Sequence, residues 1–324
     1  MRYKASDQRL VDRFVRELVK KVAARFPGRI DFAILYGSAA RGEFVRGVSD
    51  IDLIFQAKDG KDVAAIKQYA AKVFWQLNRK LKTGFEKSCA IRKPKTLAGS
   101  IFNKLESQAS LYTPLFVFGP GDLDWENGKV TNAALSIGAN VIASQASIFH
   151  KFKTEGKIYY GRDIRKAIKP HFTLWEKLKG ILIPQYLTAF SALIVWLFPK
   201  RAVKYCNKAI LYAIDSAIIY LNDMRQHRVE DKIRLLQKAT VLSIDEKRKF
   251  EIINFGLKAS MQMVPAREFK IAEEALEYKI KGFSYGRIRA LSYAYRCLWF
   301  VLRVNLSVIA KGMLRSIKRN KVYN

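Results

Sequence analysis

The sequence predicts an α+β protein in two parts: a domain mixing short strands with helices over residues 1–165, and a basic, all-helical domain over residues 166–324. Short apolar runs bounded by turn residues recur early, at residues 31–36, 49–55 and 111–119, between stretches of helical spacing. From about residue 171 the chain is almost all helical in pattern. Its 324 residues, half of them hydrophobic, suffice for two cores rather than one.

The first helix spans residues 6–26, where Leu10, Phe14, Leu18 and Val22 recur on one face; Ser6 is its expected N-cap and Pro27-Gly28 ends it. Asp31 to Tyr36 forms a short buried strand, followed at once by a small-residue turn at Gly37-Ser38 and a helical turn over Ser38 to Arg41. Ser49 to Phe55 is the next strand. Asp59 to Lys82 is a helix packing through Val63, Ile66, Tyr69, Ala70, Val73, Phe74 and Leu77. Thr83 to Ile91 is expected to be a third strand. Leu111 to Gly119 is a further strand, placed at a sheet edge because Pro114 cannot donate to a ladder. In the helical part, residues 201–221, 229–242, 265–279 and 285–318 are the candidate helices; Ala202, Ala209, Ala213 and Ala217 suit close packing in the first of them.

Fifty-nine Lys and Arg against 28 Asp and Glu give a net charge of +31, which points to a polyanionic partner. Residues 131–324 carry 35 basic and 14 acidic side chains, and no acidic residue follows Glu277. Within that last stretch Arg287, Arg289, Arg296, Arg303, Lys311 and Arg315 alternate with Tyr285, Tyr293, Tyr295 and Trp299, a mixture able to grip phosphates and stack a base. An anionic membrane surface is the competing partner. Cys89, Cys206 and Cys297 are far apart, with no CxxC and no Cys/His cluster, which argues against a zinc site or a disulfide scaffold. The charged N-terminus reads as a helix rather than a secretion signal, so a cytoplasmic protein is expected. Residues 180–198 contain no charge and approach bilayer-spanning length; Pro184, Gln185, Thr188 and Ser191 favour a buried helix over a membrane span.

The chemistry concentrates between Tyr36 and Leu53. Small residues at Gly37-Ser38 let the backbone approach a ligand and offer N–H groups to an anion. Asp50 and Asp52 stand two apart on a strand and share one face, opposite Ile51 and Leu53. Two adjacent carboxylates repel unless a cation lies between them, and Mg²⁺ is the natural one beside phosphates. Arg41 and Arg46 add mobile positive charge.

Tyr36-Gly37-Ser38, an eleven-residue gap, and Asp50-Ile51-Asp52-Leu53 together resemble the signature of the DNA polymerase beta-like nucleotidyltransferase superfamily, especially its minimal members. Ala40-Arg41-Gly42 adds to the likeness. The resemblance implies a small mixed sheet with helices against one face. It also implies transfer of a nucleoside monophosphate from an NTP, ATP being favoured, with pyrophosphate leaving. Gly37 and Ser38 would hold the triphosphate, joined by Arg41 and Arg46, and Asp50 and Asp52 would ligate Mg²⁺. A third carboxylate is usual in the family; Glu86 is the first candidate here and Glu106 the second, with Asp122 and Asp124 behind them. The favoured acceptor is RNA such as tRNA. A protein hydroxyl, as in antitoxin-type members, or a small molecule are alternatives, and so is a non-catalytic RNA-binding protein with a degenerate transferase fold. Arg165 and His171 have roughly the spacing of HEPN ribonucleases, but Pro170 breaks the helix that should carry them, which argues against ribonuclease chemistry.

Overall fold

The computed structural model describes residues 4–46, 49, 51–85, 115–132, 144–220, 229–241, 263–281 and 285–320. The chain separates into two compact units, Met1–Phe172 and Thr173–Asn324.

The first unit is built on a four-stranded mixed sheet. Its strands are β1 (Ile30–Tyr36), β2 (Asp52–Ala57), β3 (Leu115–Phe118) and β6 (Lys157–Gly161), in the order β3-β2-β1-β6. β1 runs antiparallel to β2 and β6, while β2 and β3 are parallel. Among the described residues the short β3 lies at the edge, as expected; Pro114 itself lies outside them. Successive side chains alternate between faces. Ala33, Leu35, Leu53, Phe55, Leu115 and Val117 point to a core made with α1 (Ala5–Arg25) and α3 (Val63–Leu81), where Phe14 meets Phe74 edge-on at 5.0 Å. The expected packing face of α3 is the one buried.

The other face is covered too, so helices against one face is an incomplete description. Phe32, Ile34 and Ile54 pack with Phe149 and Phe152 of α4 (Gln145–Glu155) and with Trp125, between the short strands β4 (Leu123–Asp124) and β5 (Lys129–Val130). Trp125 Nε1 donates to Gln56 Oε1 at 3.0 Å, while Gln56 Nε2 donates to the Ala57 and Phe118 carbonyls, so this buried amide is satisfied at both ends.

Two local expectations are corrected. Helix α1 starts at Ala5, and the carbonyl of Lys4 accepts from the Asp7 and Gln8 amides; Ser6 therefore lies inside the first turn and caps nothing. Thr83 to Phe85 do not form a strand, because Asn78 captures them: its Oδ1 accepts from Thr83 Oγ1 and from the Phe85 amide, and its Nδ2 donates to the Phe85 carbonyl. The rest of that expected strand lies outside the described residues.

Among the described residues the second unit contains helices α5 (Leu174–Ile194), α6 (Pro199–Tyr220), α7 (Val229–Ala239), α8 (Lys270–Lys281) and α9 (Arg287–Asn320). Ala202, Ala209, Ala213 and Ala217 are all buried, as their spacing predicts. Cys206 and Cys297 are free thiols in this core. Tyr293 is buried and donates its hydroxyl to Asn207 Oδ1; burial pushes its phenol well above the ordinary range. No described helix is long and apolar enough to cross a membrane. Nor is α5 buried all round, because Trp175, Leu182, Tyr186, Phe190 and Leu193 are exposed.

The segment Gly161-Arg162-Asp163 at the end of β6 has a structural role. Gly161 adopts φ +73°, and a Cβ there would lie 1.8 Å from the Asp31 carbonyl. Arg162 pairs with Asp31 at 2.7 Å, and Asp163 pairs with Arg165 at 2.6 Å. The Arg165 hydrogen bond draws the Asp163 carboxyl down to about 2. Folding thus lowers this group's proton affinity, so the bridge adds stability above the unfolded value of about 3.9 and loses it as the pH falls through about 2. With both partners more than a third exposed, solvent screening limits the contribution to about 1 kcal/mol or less. Asp163→Asn is expected to lower stability by no more than that amount at pH 7 in chemical denaturation, with the two proteins converging as the pH approaches 2.

Candidate active site

The site grows from the end of β1. Tyr36 closes the strand opposite Asp52, the first residue of β2, and Gly37 opens the five-residue helix α2 (Gly37–Arg41). Gly37 has φ +75°, where glycine alone is unstrained. A Cβ on it would lie 2.5 Å from Asp52 Oδ2. The missing side chain is therefore what lets the carboxylate sit against the turn. No side chain caps α2, and the amides of a first helical turn have no acceptor within their own helix. The result is a carboxylate beside N–H groups suited to phosphate oxygens.

Neighbouring residues fix this arrangement. The Tyr36 ring meets Phe152 edge-on at 4.5 Å. Burial, and then the Asp52 carboxylate, push the Tyr36 phenol well above its ordinary value, so it stays a neutral donor. Gln8 Nε2 donates to the Ala39 carbonyl at 3.1 Å and ties α1 to α2. Ser49 is buried and closes the loop before β2: its Oγ accepts from the Val45 amide at 2.9 Å and its own amide donates to the Val45 carbonyl at 2.8 Å.

Arg41 is not the mobile charge expected. Its side chain is 9% exposed and pairs with Glu43 at 2.9 Å and with Glu155 at the end of α4; those carboxylates are 0% and 4% exposed. This network was not foreseen, although Glu43 lies inside the motif. Glu155 is 114 positions from Arg41, and nothing in the local pattern joins them. Arg46 has an exposed side chain, and its amide donates to Asp7 Oδ2 at 3.3 Å.

Gly37, Ser38 and Asp52 thus come together. Asp50, Glu86 and Glu106 lie outside the described residues. Asp122 lies in a turn and Asp124 ends β4, and both carboxylates are engaged locally. Asp122 accepts from the Gly119 amide and Asn132 Nδ2, both at 2.7 Å, and the Asn127 amide bond holds the Asp124 carboxyl below its ordinary value. Among the described residues no three His, Cys, Asp or Glu side chains form a metal-binding group. Asp52 nevertheless has the hard oxygen donors that Mg²⁺ takes, next to the Gly37 turn, and Asp50 is two residues away in sequence. Those residues fit the ion.

Residues 15–106 match the family described as nucleotidyltransferase domain. The first unit has the polymerase beta-like nucleotidyltransferase fold. An all-helical unit follows it. A solved structure of the spectinomycin adenyltransferase AAD(9) from Enterococcus faecialis, with ATP and spectinomycin, aligns over 89% of this chain and 97% of that one at 11% identity and a TM-score of 0.42. No curated protein sequence matches.

The basic residues expected to bind nucleic acid lie on α9. Arg287 and Arg289 are exposed. Arg296 pairs with Glu274 at 3.2 Å, and Arg303 pairs with Glu268 while lying 5.6 Å from the Trp299 ring centre. Lys311 is buried and donates to the Val241 carbonyl at 2.8 Å. The side chain of Arg315 lies outside the described residues. Tyr293 belongs to the core, while Tyr295 and Trp299 are exposed.

Two substitutions test the site's construction. Gly37→Ala forces a left-handed conformation costing about 1–2 kcal/mol and drives a methyl into Asp52. Chemical denaturation is expected to show a loss of at least that size, whereas Ser38→Ala stays close to wild type. Arg41→Met leaves two buried carboxylates without this partner, and a loss of about 3–5 kcal/mol is expected.

Proposed function

We propose that the protein is a Mg²⁺-dependent nucleotidyltransferase that moves a nucleoside monophosphate from an NTP, with ATP favoured, to an RNA acceptor such as tRNA. The observation that carries this reading is the Asp52 carboxylate lying where a Gly37 side chain would be, beside the uncapped first turn of α2. A triphosphate held by the amides of Gly37 and Ser38 would meet that carboxylate directly, and like charges so close require a cation. Asp52, with Asp50, would hold Mg²⁺, which supplies charge neutralisation at the transferred phosphoryl group. The chain's own contribution is positioning. The Gly37 turn sets the phosphates, and Tyr36 supplies a neutral hydroxyl near Asp52. The Arg41 network holds α2 against α4.

The net charge of +31 supports a polyanionic acceptor, and Arg287 and Arg289 are exposed to meet one. Such binding weakens steeply with salt.

Incubation with α-labelled ATP, Mg²⁺, total RNA and cell protein tests the reading. The expected result is label on RNA, reduced about a hundred-fold or more in an Asp50→Asn/Asp52→Asn variant of unchanged circular dichroism. Label on a protein instead would move the acceptor to a protein hydroxyl. No metal-dependent label on any acceptor, with tight salt-sensitive RNA binding, would make the protein a non-catalytic binder.

A further inference from the structure

Helix α5 is built inside out for a helix facing water. Its protein-facing side carries Gly180, Pro184, Thr188, Ser191 and Ala192, all buried, with Lys179 buried beside its ion-pair partner Glu176 at the helix start and Ile181 and Ile194 half-buried against the core. The hydroxyls on that side are satisfied within the helix: Thr188 Oγ1 donates to the Pro184 carbonyl at 3.0 Å and Ser191 Oγ to the Leu187 carbonyl at 2.6 Å. The opposite side carries Leu178, Leu182, Tyr186, Phe190 and Leu193, spaced by four, four, four and three, and all are exposed. Tyr186 is 67% and Leu193 76% exposed. In water this pattern should be reversed. Mostly small residues inward and the largest apolar residues outward is the arrangement helices adopt where the surroundings are lipid.

The chemistry at the two ends of the stripe is that of a bilayer interface. Trp175 precedes it and Trp196 follows it, both 62% exposed, and tryptophan favours the headgroup boundary. The exposed Lys177 and Lys200 lie beside them, with no charged residue from 180 to 198 between. Helix α9 packs against α5, with Asn305 Nδ2 donating to the Ile181 carbonyl at 2.9 Å, and it has an exposed apolar row of its own in Tyr295, Trp299 and Leu306.

We propose that this face of the helical unit lies on an anionic lipid bilayer, with the α5 stripe in the interfacial region and the flanking lysines at headgroup level. Residues 173–324 carry 28 basic and 12 acidic side chains, complementary to anionic headgroups. The same charge disfavours a second copy, because two chains of +31 would meet through faces rimmed by lysine. With no described helix long and apolar enough to span, the mode is peripheral. The proposal is independent of the transferase reading, since none of these residues belongs to the Gly37/Asp52 site.

Flotation of the full chain with phosphatidylcholine vesicles, with and without phosphatidylglycerol, tests it. Co-flotation and blue-shifted tryptophan emission are expected with the phosphatidylglycerol vesicles. Leu182→Glu/Leu193→Glu alters exposed positions only and is expected to cut co-flotation at least ten-fold with circular dichroism unchanged. Trp175→Phe/Trp196→Phe is expected to keep flotation and lose most of the emission shift. Absence of flotation overturns the proposal. So does equal flotation of the glutamate variant, which would reduce the attraction to charge alone. A dimer of the wild type that the same variant dissolves would give the face to a second copy instead.

Discussion

The Asp52 carboxylate and the Gly37 Cα occupy space that cannot also hold a methyl group, and the architecture around the site follows from keeping them there. Strand β1 has to end at Tyr36 so that the chain turns directly under the first residue of β2. The turn needs a positive φ, which glycine supplies without strain. The loop returning to β2 has to arrive in register, and the paired Val45–Ser49 hydrogen bonds, with buried Phe44, fix its path. Helix α2 is too short to hold itself, since one turn closes few hydrogen bonds for the backbone it orders. Gln8 from α1 and the buried Arg41–Glu43–Glu155 network brace it instead. A charge network this deep is a poor source of net stability, but it fixes one geometry, because leaving any member unpaired is costly.

Much of this was legible in the sequence because the relevant signals are local. The alternation around Ile51, Asp52 and Leu53 places the carboxylate opposite the core whatever the rest of the chain does. The apolar spacing of α3 likewise names its own packing face. The failures share a cause as well. Ser6 has a cap's chemistry, but the Lys4 carbonyl already accepts the first amides. Thr83 to Phe85 carry a strand's pattern, yet Asn78 binds them by side-chain hydrogen bonds that periodicity does not encode. Arg41 looks like a free cation beside an anion site until Glu155, far along the chain, is brought against it. Helix α5 is the reverse case. Its composition reads as a buried helix, and only the direction of each side chain shows that the small residues face the protein.

The helical unit separates its charge from its packing. Its core is aliphatic and aromatic, closed by small residues along α6 and by the Tyr293–Asn207 hydrogen bond. Several basic side chains are already satisfied locally, including Arg296, Arg303 and Lys311. Much of the α9 row therefore supports the fold, and the remaining positive potential is a diffuse property of the surface. Diffuse charge attracts a polyanion and sets its approach, while specificity must come from shape or from apolar contact.

The proposed function requires the Gly37 turn and Asp52 to act together, as one site for a triphosphate and its cation. Calorimetric titration of ATP into the full chain, with and without Mg²⁺, measures that coupling directly. Tight binding only with Mg²⁺ present, and loss of that dependence in Asp52→Asn, is expected. ATP affinity that is the same with and without the ion, or unchanged in the variant, would contradict it.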